Sequence, residues 1–269
     1  MRRVDSVPLK FAANLSFLYQ DLPFLDRFSA AAQDGFTGVE YLSPYEFPSS
    51  EIRRRLDDNG LTQVLFNLSA GDAAKGERGL ASLPGRESDF ADSLERALEY
   101  ATDLDCKRLH VMAGIRDKSI DRDRQYAVYR GNLEIAARAA QDAGITALIE
   151  PINDKDMPGY FLENCRMAAT LIAEINNPHL QLQFDIYHVQ RTDGDIINQY
   201  LKFAPIIRHI QIANPPHRFE PDNGEINYPY IFEFLDGEGY AGWIGCEYKP
   251  SAGTRETLGW ARAFLSAKS

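Results

Sequence analysis

The stretch Ala143-Gly144-Ile145-Thr146-Ala147-Leu148-Ile149-Glu150-Pro151 decides the fold. A glycine closes an amphipathic run, an apolar segment of strand length follows, and a carboxylate ends it. Glycine at such a point supplies the left-handed turn that stops a helix. The same junction recurs at Asp34-Gly35-Phe36, Asn59-Gly60-Leu61 and Glu238-Gly239-Tyr240. It is the helix-to-strand loop of a parallel α/β protein. Outward from it, short runs rich in Val, Ile, Leu or Phe fall at 10–15, 38–42, 63–68, 108–112, 146–150, 181–185, 208–212 and 243–247. Strands buried on both faces read this way. Amphipathic stretches at 23–34, 49–59, 88–104, 121–143, 164–175, 195–203, 228–238 and 255–267 predict the intervening helices, the third with Ser88 as its N-cap. Parallel strands need a crossover connection, usually a helix. Pairs of this kind through a 269-residue chain fit a (β/α)₈ TIM barrel, a fold that takes about 250 residues as one unit. The first strand is not followed by GxGxxG, which counts against an open, doubly wound nucleotide-binding sheet.

The length and even composition predict one barrel domain over residues 1–269, with residues 1–8 as an N-terminal extension. Arg2 and Arg3 are not followed by an apolar segment, so the start does not read as a secretory signal. Apolar runs stay short of the roughly 18 residues that span a bilayer. Cys106, Cys165 and Cys246 lie far apart without a CxxC pair, as in a reducing compartment. The expected location is therefore cytoplasmic. With Lys+Arg 29 against Asp+Glu 39 and a net charge of -10, binding to nucleic acid or an anionic membrane is not expected, since both need a basic face. A homo-oligomer is compatible with the sequence.

In a barrel the active site lies at the C-terminal ends of the strands. Four consecutive strands end in polar groups: Glu150, Asp185, Gln211 and Glu247. Three carboxylates gathered at low dielectric repel one another unless one protonates or a cation sits among them. Three carboxylates and an amide oxygen suit a hard or intermediate divalent ion, Mg²⁺ or Mn²⁺. Such an ion polarises a carbonyl as a Lewis acid. Taken singly, each of these side chains could equally be a helix cap or an ion-pair partner.

Other strand-end residues are candidates for substrate contacts: Asn14, Glu40, Asn67, His110 and, three residues past Asp185, His188. His110 also reads as a packed core histidine, and His209 as a structural one lower in the barrel. The long segment 217–228 after the seventh strand carries Arg218, a planar fork for a substrate carboxylate or diol. Within it, Glu225 would hold the loop or orient His217, and Asn227 would cap the next helix. Lys249 is a second cationic candidate with a comparable surface reading. The Gly-rich, charged segment 70–86 reads as a mobile lid or a plain loop.

These motifs together resemble the hydroxypyruvate isomerase family within the xylose-isomerase-like TIM barrels. The resemblance runs from about Lys10 to the C-terminus. It is carried by Phe11-Ala12-Ala13-Asn14-Leu15-Ser16, Gly38-Val39-Glu40, Asn67-Leu68-Ser69-Ala70-Gly71-Asp72, Glu150-Pro151-Ile152-Asn153 and Phe184-Asp185-Ile186-Tyr187-His188. Ile210-Gln211-Ile212-Ala213, Arg218-Phe219-Glu220-Pro221, Gly224-Glu225-Ile226-Asn227-Tyr228 and Gly245-Cys246-Glu247-Tyr248 complete it. It implies a metal-dependent isomerase of aldose–ketose type acting on a small anionic hydroxy-oxo acid. That acid is hydroxypyruvate, interconverted with tartronate semialdehyde, or a 2-oxo-tetronate, converted to its 3-oxo isomer. By position Glu150 and Glu247 match the paired catalytic glutamates, and Glu150, Asp185, Gln211 and Glu247 the metal ligands.

The expected chemistry is proton transfer between adjacent carbons through an enediolate, with the two glutamates as base and acid. The rival is a hydride shift. The other functional classes weighed are an epimerase or dehydratase on the same barrel, and a non-catalytic sugar-acid binding protein. An endonuclease would need more metal-binding histidine than five in all, and a basic face.

Overall fold

The computed structural model describes residues 8–265. The expected extension therefore lies, apart from Pro8, outside the described residues. Eight parallel strands close into a barrel in sequence order: β1 Lys10–Asn14, β2 Gly38–Tyr41, β3 Thr62–Asn67, β4 Arg108–His110, β5 Thr146–Ile149, β6 Leu180–Asp185, β7 Ile207–Ile212 and β8 Trp243–Cys246. The helices outside them are α1 Arg27–Gln33, α2 Ser49–Asn59, α3 Glu87–Asp103, α4 Arg122–Asp142, α5 Cys165–Ile175, α6 Ile186–Thr192, α7 Ile196–Phe203 and α8 Tyr228–Gly237. The (β/α)₈ TIM barrel expected from the strand–helix alternation is the fold observed.

Local chemistry sets the boundaries. Asp121 caps α4 by accepting from the backbone N–H groups of Asp123 and Arg124, at 2.9 and 3.1 Å. Asn164 caps α5 through Met167 N–H at 2.9 Å, and Asn227 caps α8 as expected. Gly35, Gly60, Gly144 and Gly239 all hold positive φ, between 63° and 94°, at the helix-to-strand turns. Three expectations need correction. Ser88 is not the cap of α3, which starts one residue earlier without a side-chain cap. The first helix is split into a 3₁₀ turn, Phe24–Asp26, and α1. The C-terminal helix expected at 255–267 is a 3₁₀ segment, Thr254–Ala261, as far as it is described. The short helix α6 was not expected, because its seven residues follow Asp185 without a break in apolar character.

Side chains alternate across each strand. Phe11, Ala13, Val39 and Leu109 face outward and join the large apolar layer beneath the helices. Helix α3 adds Phe90, Leu94, Ala97 and Ala101 to that layer from one stripe. Ala12, Leu65 and Leu148, with Val64 brought in by the irregular register between β2 and β3 and with Trp243, form a second apolar cluster that plugs the barrel floor. The next inward positions are polar. Register pairs Asn14 with Glu40, Asn67 with His110, Asp185 with Gln211 and Gln211 with Gly245. Adjacent strands thus deliver polar side chains side by side above a closed apolar floor. Cys106, Cys165 and Cys246 are buried free thiols. Among the described residues no helix is long and apolar enough to cross a membrane.

Candidate metal centre and active site

Glu150 and Glu247 each follow the last residue of their strand, and Asp185 ends β6. All three are buried. With His188 they offer ligand atoms that lie within 4.8 Å of one another. At about that separation two carboxylates repel by roughly 3–4 kcal/mol at an effective dielectric of 20. Burial is the larger influence. It pushes the Glu150 carboxyl well above the usual range, helped by Glu247 and Asp185. Burial also raises Glu247 to about 8, against the pull of Arg218, and Asp185 to about 6. Glu150 Oε1 and Asp185 Oδ2 are buried without a hydrogen-bond partner. Unsatisfied buried carboxylate oxygens are strongly unfavourable, and a cation satisfies both at once. The cluster is thus able to hold a metal ion.

The orientation of the neighbouring amides bears on the donor set. Gln211 donates from Nε2 to Glu40 Oε1 at 2.8 Å. Its carbonyl oxygen is thereby turned the other way, where it accepts from Gln183 Nε2 at 2.6 Å and keeps a second lone pair. Gln183 also lies beside Glu150 and favours its ionised form. Asn14 bridges Glu40 Oε1 and Glu247 Oε1, at 3.1 and 3.3 Å. Glu40 receives His209 Nε2 as well, at 2.7 Å, so the structural reading of His209 holds. Glu40 and Asn14 do not line the cavity. They form the layer beneath it. Gly245 makes this possible, since a Cβ there would lie 2.2 Å from Glu40 Oε1.

His188 is fixed in one tautomer. Asn153 Oδ1 accepts from the backbone N–H groups of Lys155 and Asp156, at 3.1 and 3.0 Å, which turns its Nδ2 toward His188 Nδ1 at 2.6 Å. The Asn153 backbone N–H also points at Nδ1, at 3.3 Å. With two donors facing it, Nδ1 is the acceptor and the ring proton sits on Nε2. Nε2 lies 3.5 Å from Asp185 Oδ2. Burial keeps this ring neutral by holding its pKa well below the usual value. His188 therefore presents a donor to the cavity, and is poorly set to ligate a cation. His110 is neutral too, with burial and His209 pulling it down to about 3. Its Nδ1 lies 3.7 Å from Glu150 Oε2.

Arg218 sits at φ +61° in the loop after β7. The loop is tied by Asn214, whose side chain bonds to the carbonyls of Pro221 and Ile226 and to Ile226 N–H. The guanidinium stacks between Phe17 and Tyr187, 5.0 Å from each ring. It is paired with Glu247 and lies 3.7 Å from Asp185 Oδ2. Arg218, His110, His188 and Asn67 line a cavity of about 570 Å³ together with Glu150 and Glu247. Lys249 is not brought there. Its backbone N–H is held by Arg218 O at 2.7 Å, and its exposed side chain lines the adjoining cavity behind Phe17. His217 and Glu225 are exposed at the loop surface.

Sequence reasoning passed over Asn153, Gln183 and Arg78. Gln183 shared a strand face with Asp185 and was findable by period two. Asn153 and Arg78 lie in irregular segments, where spacing carries no signal.

The family model for the xylose isomerase-like TIM barrel matches residues 28–264. The 2-oxo-tetronate isomerase of Cupriavidus necator is 54% identical over 95% of this chain and 98% of its own length. The hydroxypyruvate isomerase of Escherichia coli is 43% identical over 94% and 98%. The crystal structure of an AP endonuclease, family 2, from Brucella melitensis superposes with a TM-score of 0.94 at 45% identity, covering 97% of this chain and all of that one. Barrel topology, a carboxylate ring at the strand ends and near full-length matches of this kind agree on one conclusion: the chain belongs to the xylose isomerase-like TIM barrel family, and it is an isomerase.

Proposed function

We propose that the chain is a divalent-cation-dependent isomerase that converts a 2-oxo-tetronate to its 3-oxo isomer, with hydroxypyruvate as the second substrate to test. The observation that carries this reading is the buried triad Glu150, Asp185 and Glu247 with two orphaned oxygens. The identity to the Cupriavidus necator enzyme, above that to the Escherichia coli one, supports the four-carbon acid. Glu150, Asp185, Glu247 and the free lone pair of Gln211 would hold Mg²⁺ or Mn²⁺. Such an ion, when bound, lowers the barrier by polarising the carbonyl.

The rest of the chemistry falls to the side chains. Isomerisation moves one proton from C3 to C2 of the acid and a second from the C3 hydroxyl to the C2 oxygen, which shifts the carbonyl from C2 to C3. Glu247 receives the Arg218 guanidinium and Glu150 does not, so once a cation offsets its burial Glu247 is the carboxylate that takes the C3 proton. Glu150, whose carboxyl burial and its acidic neighbours push well above the usual range, delivers one to C2. His188, with its proton on Nε2, donates to a substrate oxygen on which charge develops. Arg218 favours the ionised form of Glu247 against its burial. Asn67 and His110 contact the substrate from the β3–β4 side, while Asn14 and Glu40 act from below as positioning residues. One barrel domain carries the whole site, and buried free thiols accord with the cytoplasm.

The test is an assay of the purified protein with Mg²⁺ or Mn²⁺ against both 2-oxo-tetronate epimers and hydroxypyruvate. Glu150→Gln and Glu247→Gln should each lower kcat by at least about 10³-fold, as expected when one of two proton-transfer groups is removed. Full turnover by Glu247→Gln would point to a binding protein, and exchange of stereochemistry without isomerisation to an epimerase. An endonuclease reading has little support in a chain of net charge -10.

A further inference from the structure

The cavity is lined by two cationic side chains among the described residues, Arg218 and Arg78. Arg218 is already committed. Its guanidinium is paired with Glu247, stacked between two rings, and bonded through Nε to the Glu247 carbonyl at 3.2 Å. Arg78 is not. Its Nη1 donates to the carbonyl of Glu77 at 2.7 Å, and among the described residues it has no ion-pair partner and no further hydrogen bond. The adjacent Glu77 carboxylate is itself occupied, by Arg86 and by Asp72 N–H at 2.6 Å. Glu46, on the same rim, is exposed to solvent.

The loop that carries Arg78 is pinned. Gly79 pairs with Ala113 in an antiparallel bridge, and Ser82 N–H donates to Ala113 O at 2.8 Å. The two backbones cross so closely that a Cβ on Gly79 would lie 2.5 Å from Met112 O and 2.7 Å from Gly114 N. A half-buried arginine presented from a fixed backbone, with most of its fork unused, is a pre-organised donor to a planar anion.

We propose that Arg78 is the residue that recognises the substrate carboxylate, and so makes the site selective for oxo acids over neutral sugars of the same length. This rests on the reading of the site as one for hydroxy-oxo acids. The reacting oxygens lie at the carboxylate triad, and the substrate carboxylate takes the free edge of Arg78 on the β3–β4 side. Arg218, expected from the sequence to fill this role, is instead bound to Glu247. A neutral sugar placed in the cavity leaves the Arg78 fork unpaired, which disfavours it.

The test uses erythronate, an unreactive four-carbon hydroxy acid, titrated calorimetrically into the Mn²⁺-loaded protein. Arg78→Gln should weaken erythronate binding by at least tenfold while Mn²⁺ affinity and thermal midpoint stay as in the wild type. Arg78→Lys, which keeps the charge and loses the fork, should fall between the two. Erythronate affinity within twofold of wild type in Arg78→Gln overturns the assignment. So does a loss that tracks weaker Mn²⁺ binding, or a wild type that takes up no erythronate. If erythronate binds through Arg78 but no 2-oxo-tetronate is turned over, the isomerase reading fails and the assignment of Arg78 stands.

Discussion

Replacing Glu40 by Gln takes an acceptor out of the barrel interior and puts a donor in its place. Glu40 is fully buried and accepts from Gln211 at 2.8 Å, Asn14 at 3.1 Å and His209 at 2.7 Å. Gln211 and Asn14 share Oε1, and His209 takes Oε2. A glutamine offers one oxygen and one NH₂, so either a donor meets another donor or His209 switches tautomer and leaves a buried Nδ1–H without an acceptor. Hydrogen bonds to a charged group contribute about 1.5–3 kcal/mol, and an unsatisfied buried donor adds about 1–3 kcal/mol of penalty. A net loss of about 2–4 kcal/mol in unfolding free energy follows. Gln211 also loses the contact that turns its oxygen toward the carboxylate triad. Changes in residues that orient metal ligands commonly weaken metal binding by about 10–100-fold. Urea unfolding gives the first quantity, and titration of Mn²⁺ followed by its paramagnetic resonance signal gives the second. A variant whose stability lies within 0.5 kcal/mol of wild type (roughly the scatter of a neutral surface change) and whose Mn²⁺ affinity is unchanged would refute the claim that Glu40 supports the site.

Asn153→Ala should free His188 to change tautomer, lowering kcat by about 10–100-fold, on the scale of lost acid–base and orienting groups. Mn²⁺ affinity should hold; a parallel fall in that affinity would make His188 a ligand. Arg218→Lys should lower kcat more than it raises KM, because the lost fork and ring stacking act on Glu247; a change confined to KM would return Arg218 to the substrate carboxylate. Asp185 and Glu247 are raised to about 6 and about 8, and Glu150 is raised as well, so cation binding should release protons, with apparent affinity climbing as pH rises through about 6 and about 8. Calorimetry in buffers of different ionisation enthalpy counts those protons. The same shifts predict that the metal-free protein is most stable below about pH 4 with respect to these groups. That contribution is lost as pH rises through about 6 and then 8, and added Mn²⁺ should abolish the loss. A metal-free protein that gained stability over this window would contradict the shifts.

The barrel was legible because its signals are local. Glycine at 35, 60, 144 and 239 closes each helix in the left-handed region, and uninterrupted apolar runs mark strands covered on both sides. What failed was also local. Helix α6 is a single short helix continuing an apolar strand, and the 3₁₀ segment at Thr254–Ala261 has the composition of an α-helix. The carboxylate ring was legible because strand ends in a barrel converge, so Glu150, Asp185 and Glu247 had to meet. The division of labour around them was not. Glu40 and Asn14 looked like cavity residues by strand position, yet they are spent on bonds to Gln211, His209, Glu247 and each other, and do not line the cavity. Lys249 looked inward by its two-residue spacing from Glu247, but β8 ends at Cys246 and the chain turns where Arg218 O accepts the Lys249 N–H. Asn153 reaches His188 across 35 residues of sequence, and Arg78 comes from a loop whose path is set by its crossing with Gly114. Contacts of that range leave no mark on spacing.

The central claim is that Glu150 and Glu247 move a proton between adjacent carbons of a hydroxy-oxo acid in a cation-dependent reaction. Proton and deuterium NMR of 2-oxo-tetronate conversion in D₂O, with Mg²⁺ present, tests it most directly. The account predicts deuterium at C2 of the 3-oxo product, at times too short for uncatalysed exchange, and loss of conversion both with chelator and in Glu150→Gln. Product formed without deuterium, or conversion that persists without cation, would contradict it.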